Sequence, residues 1–186
     1  MPAGVKITET DLLTALRGFL IAVAGDTYEV IKGQDNQVAT PIGRFIVMTS
    51  MLTPELNKPY STFTDNGANA AGEEHTHQAR EWICQIDVYG DQAAAMATAI
   101  ATMTRSSWGA RKFSELTKKS GFMISPLYAD VPHQTTMING ERQYEARWTV
   151  DLHLQFNQVI STDMQFADQL YVNPVSVDAE FPPEKL

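Results

Sequence analysis

Arg142-Gln-Tyr-Glu-Ala-Arg-Trp-Thr-Val-Asp-Leu-His-Leu-Gln-Phe-Asn157 is the stretch that decides the fold. Trp148, Val150, Leu152, Leu154 and Phe156 alternate with Arg147, Thr149, Asp151, His153 and Gln155. A period of two marks a β-strand with one buried face. Asn139-Gly140, just upstream, is a preferred pair for a tight hairpin turn. Sixteen extended residues span roughly 50 Å. A compact chain of this length is only about 40 Å across. The strand must therefore bend sharply or push its tip out of the body, and a projecting strand implies contact with neighbours.

Working outward, 133–138 can pair with this strand across the turn. Pro126 breaks the strand at 122–128, which places it at an edge or a bulge. Trp82, Cys84, Ile86 and Val88 share one face of another strand, read as His77 to Tyr89. Arg44 to Leu52 is apolar enough for burial on both faces, and Glu29 to Gly33 is a short strand. The clearest helix runs from about 8 to 24. Thr8 is its N-cap with Asp11 three residues on, and Leu12, Leu13, Leu16, Phe19, Leu20 and Val23 follow at helical spacing. An Ala-rich helix spans about 92–106. The stretch 107–121 is ambiguous, with Phe113 and Leu116 placed for a short helical turn, and Thr162 to Val172 reads as a short helix. Residues 61–76 are rich in Ser, Thr, Asn, Ala and Gly and read as an extended loop or hairpin tip that orders against a partner chain.

This order predicts an α+β fold: a mixed, mainly antiparallel twisted sheet with two helices on one face, a protruding hairpin or loop, and an extended C-terminal tail. One domain is expected over 1–175 with a flexible loop at 57–76, followed by a tail over 176–186.

Composition narrows the chemistry. The formal charge is −8 and the pI about 4.9, which disfavours wrapping nucleic acid because phosphate binding needs clustered Lys and Arg. Cys84 is the lone cysteine, so no intrachain disulfide forms, and its apolar strand reads as core. Leu12 to Ala24 ends in Ala22-Val23-Ala24, which mimics a leader cleavage site. Glu9, Asp11 and Arg17 oppose that reading, and the run is short of the ~20 residues of a membrane span. Phosphate loops, Rossmann glycines and a serine elbow are absent from the sequence. His75 and His77 would share a strand side, with Glu73, Glu74 and His153 as further candidates for a metal. The carboxylate pairs Glu73-Glu74, Asp87 with Asp91, and Glu141 with Glu145 lack the apolar flanks that split pKa values. Neither a catalytic residue nor a cofactor or metal is predicted.

Several segments carry a resemblance. They are Glu29-Val-Ile-Lys-Gly-Gln-Asp-Asn-Gln-Val-Ala-Thr-Pro41, Phe45-Ile-Val-Met-Thr49, Pro126-Leu-Tyr-Ala-Asp130, Gln165-Phe-Ala-Asp168 and, most specific, Ile138-Asn-Gly-Glu-Arg-Gln-Tyr-Glu-Ala-Arg-Trp-Thr-Val-Asp151. Over most of 10–175 the chain resembles the phage neck or tail terminator proteins. It departs from their pattern at Gln37 and Ala39, where Arg and Pro are frequent. The resemblance implies a structural virion protein, assembled in the host cytoplasm, that forms a six-membered ring at the head-proximal end of the tail. Such a ring ends the tail tube, joins it to the head connector and lets DNA through its lumen without specific binding. The implied partners are other copies, the tail tube protein, neck proteins and, in contractile tails, the sheath; no membrane is involved. A head-side connector or stopper is the alternative, and a metal-dependent enzyme using His75, His77 and Glu74 the remote one. Interface residues are expected at Thr64, Asp65, Asn66, Glu73 and Glu74, at Thr136, Met137, Asn139 and Glu141, and in the tail at Asn173 and Val175.

Overall fold

The computed structural model describes residues 3–34, 41–67, 70–138, 144–166 and 172. Its framework is two long antiparallel strands, β5 (Gly72–Tyr89) and β8 (Tyr144–Met164), paired without a break from Tyr89↔Arg147 to Gly72↔Met164. Short strands line both flanks of this ribbon. Along the outer side of β8 lie β7 (His133–Ile138), β6 (Ile124–Ala129) and β1 (Gly4–Val5), each antiparallel to it. Along the outer side of β5 lie β3 (Phe45–Leu52) and β4 (Tyr60–Thr64), both antiparallel, and β2 (Glu29–Lys32) adds to β3 in parallel. The fold is α+β with a mixed, mostly antiparallel eight-stranded sheet, as the alternation of 147–156 implies.

Alternation decides which residues face the helices. Trp82, Cys84, Ile86 and Val88 from β5 pair with Leu154, Leu152, Val150 and Trp148 from β8. All of these except the half-buried Trp148 are buried. Helices α1 (Glu9–Ala24), α2 (Ala93–Thr104) and α3 (Ser107–Thr117) pack against one another and cover this face. Thr8 and Asp11 close the capping box of α1, with the Thr8 N–H donating to Asp11 Oδ2 at 2.9 Å. Leu12, Leu13, Leu16, Phe19 and Leu20 then turn inward.

Four readings need correction. The ambiguous 107–121 region holds a third full helix, α3. Ser106 caps it, accepting from the Gly109 N–H at 3.1 Å, and Phe113 stacks on Phe19 at 4.6 Å. Gly109 permits the tight α2–α3 corner, because a Cβ there would lie 2.3 Å from the Met103 carbonyl oxygen. Second, of the two forms read for 61–76, loop or hairpin tip, the structure has the hairpin, paired over 60–64 and 73–77, and its long strand begins earlier than read. β5 starts at Gly72 instead of His77, and Tyr60↔His77 through Thr64↔Glu73 form its ladder. Backbone pairing orders this part without an apolar stripe, which is why the periodicity test missed it. Third, β8 continues through Thr162–Met164, where a short helix was read; residues 167–171 of that reading lie outside the described residues. Fourth, Ile138↔Tyr144 is the last pair of β7 with β8, leaving 139–143 to connect them, whereas a two-residue turn on Asn139-Gly140 would pair Ile138 with residue 141. That connection also lies outside the described residues. The proline reading was sound: β6 has a register shift between Pro126 and Tyr128.

Candidate interaction surfaces

The sheet face turned away from the helices carries most of the polar chemistry. Asp87, 4% exposed, accepts from Arg147 Nη2 at 2.7 Å, Thr149 Oγ1 at 2.7 Å and Gln85 Nε2 at 3.1 Å. Arg147 lies over the Tyr89 ring, which stacks on Phe45 at 4.4 Å. The Asp87 carboxylate, hydrogen-bonding to the Arg147 guanidinium, raises that group's pKa further. Further along the face, His153 Nδ1 lies 2.5 Å from Glu81 Oε1, its Nε2 is 3.6 Å from Asp130, and its ring stacks under Tyr128 at 4.0 Å. These bonds tie β5, β8 and β6 together. Cys84 is on the helix side, where burial pushes its thiol pKa up and leaves it unreactive.

Asp151 is the poorly matched carboxylate of this face. Its Oδ1 is buried without a hydrogen-bond partner. Burial first, then Asp130, raises its pKa from the ordinary 3.8, while His153 and His133 pull the other way. A carboxyl whose folded pKa is raised destabilises the native state at any pH above that pKa, and the penalty vanishes as pH falls through 3.8. Asp151→Asn removes the charge and keeps the shape, so it should stabilise the chain at pH 7 by less than about 1 kcal/mol, since the partly solvated carboxylate is screened. Urea midpoints at pH 7 and pH 4 check this: the gain should shrink at the lower pH. An equal gain at both would assign it to packing.

Two arms emerge from the body at opposite ends of β8. The first is the β4–β5 hairpin. Of the expected contact residues, Thr64 pairs with Glu73 at its end. Asp65 Oδ1 accepts from the Gly67 N–H at 2.8 Å and Asn66 Nδ2 donates to the Ala71 carbonyl at 2.9 Å, which folds the turn back on itself. Gly67 sits at φ +87°, the left-handed region glycine favours. Glu73 and Glu74, adjacent on a strand, project to opposite faces. The second arm is β7 with the start of β8, where Thr136 pairs with Ala146 and Met137 with Glu145. Asn139, Glu141, Asn173 and Val175 lie outside the described residues.

The sequence reading missed the apolar side chains of these arms. Tyr60 and Phe63 on the first, and Ile138 and Tyr144 on the second, are all more than half exposed. The signal was present in Tyr60-Ser-Thr-Phe-Thr64, which is dense in strand-forming residues directly after Pro59. The ring of Phe166 also seats on the first arm, so close to Gly72 that a Cβ there would meet it at 2.1 Å.

The histidines considered as metal ligands are engaged elsewhere. His75 meets Ser161 Oγ at 2.8 Å and Thr64 Oγ1 at 3.1 Å, and His77 meets Thr62 Oγ1 at 2.8 Å while stacking on Tyr60. Glu74 points to the other face. Among the described residues no three His, Cys, Asp or Glu side chains converge as metal ligands, and no helix is long and apolar enough to cross a membrane.

Comparison with known proteins adds one match. A family model described as phage neck terminator protein matches residues 10–183. No curated protein matches the chain.

Proposed function

The chain belongs to the phage neck terminator protein family, a family of structural virion proteins that contact other head and tail components, and from that premise we propose that it closes into a ring, six copies strong, which ends the tail tube and joins the tail to the head connector. The observation that carries this reading is the placement of two arms at the two ends of one strand. From Tyr144 to Met164 β8 runs 21 residues, about 65 Å of extended chain. A protomer with different contact surfaces at opposite ends makes head-to-tail contacts, and such contacts close into rings when the rotation permits. Residues 1–175 act as one domain in this reading, and the arm residues Thr64, Asp65, Asn66, Glu73, Glu74, Thr136 and Met137 serve as contacts, joined by Asn139, Glu141, Asn173 and Val175.

Charge supports passage of DNA through the lumen. Six copies at −8 each carry 6 × −8 = −48 formally. A channel of the same sign as phosphate does not hold passing DNA. The ring needs no cofactor.

Mass measurement and negative-stain imaging at micromolar concentration, with and without tail tubes, test the reading. A six-fold mass and particles capping one tube end are expected. A chain that stays monomeric and leaves tube ends bare would overturn it. Affinity for head connector without tube contact would instead favour a head-side stopper.

A further inference from the structure

An open sheet edge is a template for another strand, and soluble chains guard their edges with charge, proline, a bulge or brevity. Three of the five outer strands here follow that rule. β2 carries Glu29 and Lys32, β6 carries Pro126 and a register shift, and β1 is two residues long. β4 and β7 do not. Tyr60-Ser-Thr-Phe-Thr64 and His133-Gln-Thr-Thr-Met-Ile138 contain no Asp, Glu, Lys, Arg or Pro, and their ladders run without a shift. Among the described residues each is paired on one side only. All five residues of β4 are exposed, as are four of the six in β7.

The two edges are complementary in length, direction and face. They differ by one residue in length. β4 is antiparallel to β5, β5 to β8 and β8 to β7, so β4 and β7 point in opposite directions. Phe63 pairs with Glu74, and Ile138 with Tyr144. Counting by twos along β5 and β8 puts Phe63, Ile138 and Tyr144 on the sheet face that meets the helices in the body. A joint that continues the sheet from one copy into the next lays the edge of one beside the edge of its neighbour with strand axis and sheet face kept. It therefore brings β4 and β7 together antiparallel, with their exposed apolar side chains on one side.

We propose that β4 of one copy pairs with β7 of the next, so that the sheet continues from copy to copy and Phe63 packs beside Ile138 and Tyr144 of its neighbour. This inference rests on the ring reading and specifies its joint. The edges cannot meet within one copy. Thr162, across β5 from Phe63, and Tyr144, across from Ile138, are eighteen residues apart on β8, about 60 Å. Head-to-tail pairing also uses both unguarded edges of every copy, whereas β4 on β4 would leave each β7 open.

Disulfide trapping tests the joint in the full chain. Two double variants cover the two face-matched registers that seat Phe63 beside Ile138: Phe63→Cys with Ile138→Cys, and Phe63→Cys with Thr136→Cys. Paired strands bring the Cα atoms within the ~7 Å a disulfide requires, and buried Cys84 stays out of the reaction. The proteins are oxidised with and without tail tubes, then examined on non-reducing gels and by mass. One double variant should convert from monomer to covalent multimers, and a mixture of its two single variants should stop at dimers. Phe63→Cys alone forming dimers would mean β4 meets β4 and would overturn the proposal. Intact rings that cross-link in neither pair would also overturn it while leaving the ring reading in place. A chain monomeric in every condition would remove the ring and the joint together.

Discussion

Trp82→Ala should cost the fold about 3–5 kcal/mol, the range for deleting a large buried aromatic side chain. Trp82 is fully buried, and its Nε1 donates to Ser50 Oγ at 2.9 Å, joining β5 to β3. It stands where the ribbon leaves the helix layer: Leu154 faces it across β8, and its neighbour two residues along, Arg80, is only half-buried. Truncation would open a cavity at the edge of the core and remove the donor to Ser50. A domain of this size has only about 5–15 kcal/mol to lose. Urea denaturation followed by circular dichroism measures the effect. Trp82→Phe should cost less, since it keeps the ring and loses the hydrogen bond. A cost below 1 kcal/mol for the alanine variant would show that the helix layer closes without this side chain.

Asp87→Ala is the second large effect, at about 2–3 kcal/mol. Removing one partner of a fully buried ion pair costs ~3–5 kcal/mol because the other is left charged and unpaired. The estimate is lower here because the Arg147 side chain keeps 27% of its surface exposed. Thr149 and Gln85 would also lose their acceptor. The pair sits at the root of the β7–β8 arm, so the arm should lose its fixed direction along with stability. Replacing both charges, Asp87→Leu with Arg147→Met, should recover most of the loss, since an apolar pair of similar volume has no unpaired charge to bury. Denaturation midpoints of the single and double variants decide between these outcomes. A double variant as weak as the single would point to Thr149 and Gln85 as the groups that matter.

The body of the fold was legible because its residues obey a period. Trp148 to Phe156 and Trp82 to Val88 alternate so cleanly that the central ribbon and its buried face could be assigned without coordinates. Helix α1 announced itself by Thr8, Asp11 and its leucines. Where burial is absent the signal disappears. Gly72 to Thr76 and Gln158 to Met164 are paired strands with few apolar residues, and only the partner strand reveals them. Helix α3 was hidden for another reason. Its inward residues are few, chiefly Gly109, Phe113 and Thr117, and glycine inside a helix argues against one unless its close neighbour is known. In the segments read as contact regions, the polar residues drew attention first. Tyr60, Phe63, Ile138 and Tyr144 stand out only once their exposure is known.

The unbroken β5–β8 ladder has a mechanical consequence. Tension applied along β8 meets its hydrogen bonds sideways, so all of them share the load instead of parting one after another as in a zipper. β1 adds a second anchorage, because Gly4 and Val5 are bonded to Ser161 and Ile160 and lead directly into the Thr8 cap. A pull on the far arm is thus passed to the helix layer by two routes, so the proposed contact between copies would be loaded against the whole core and not against one strand.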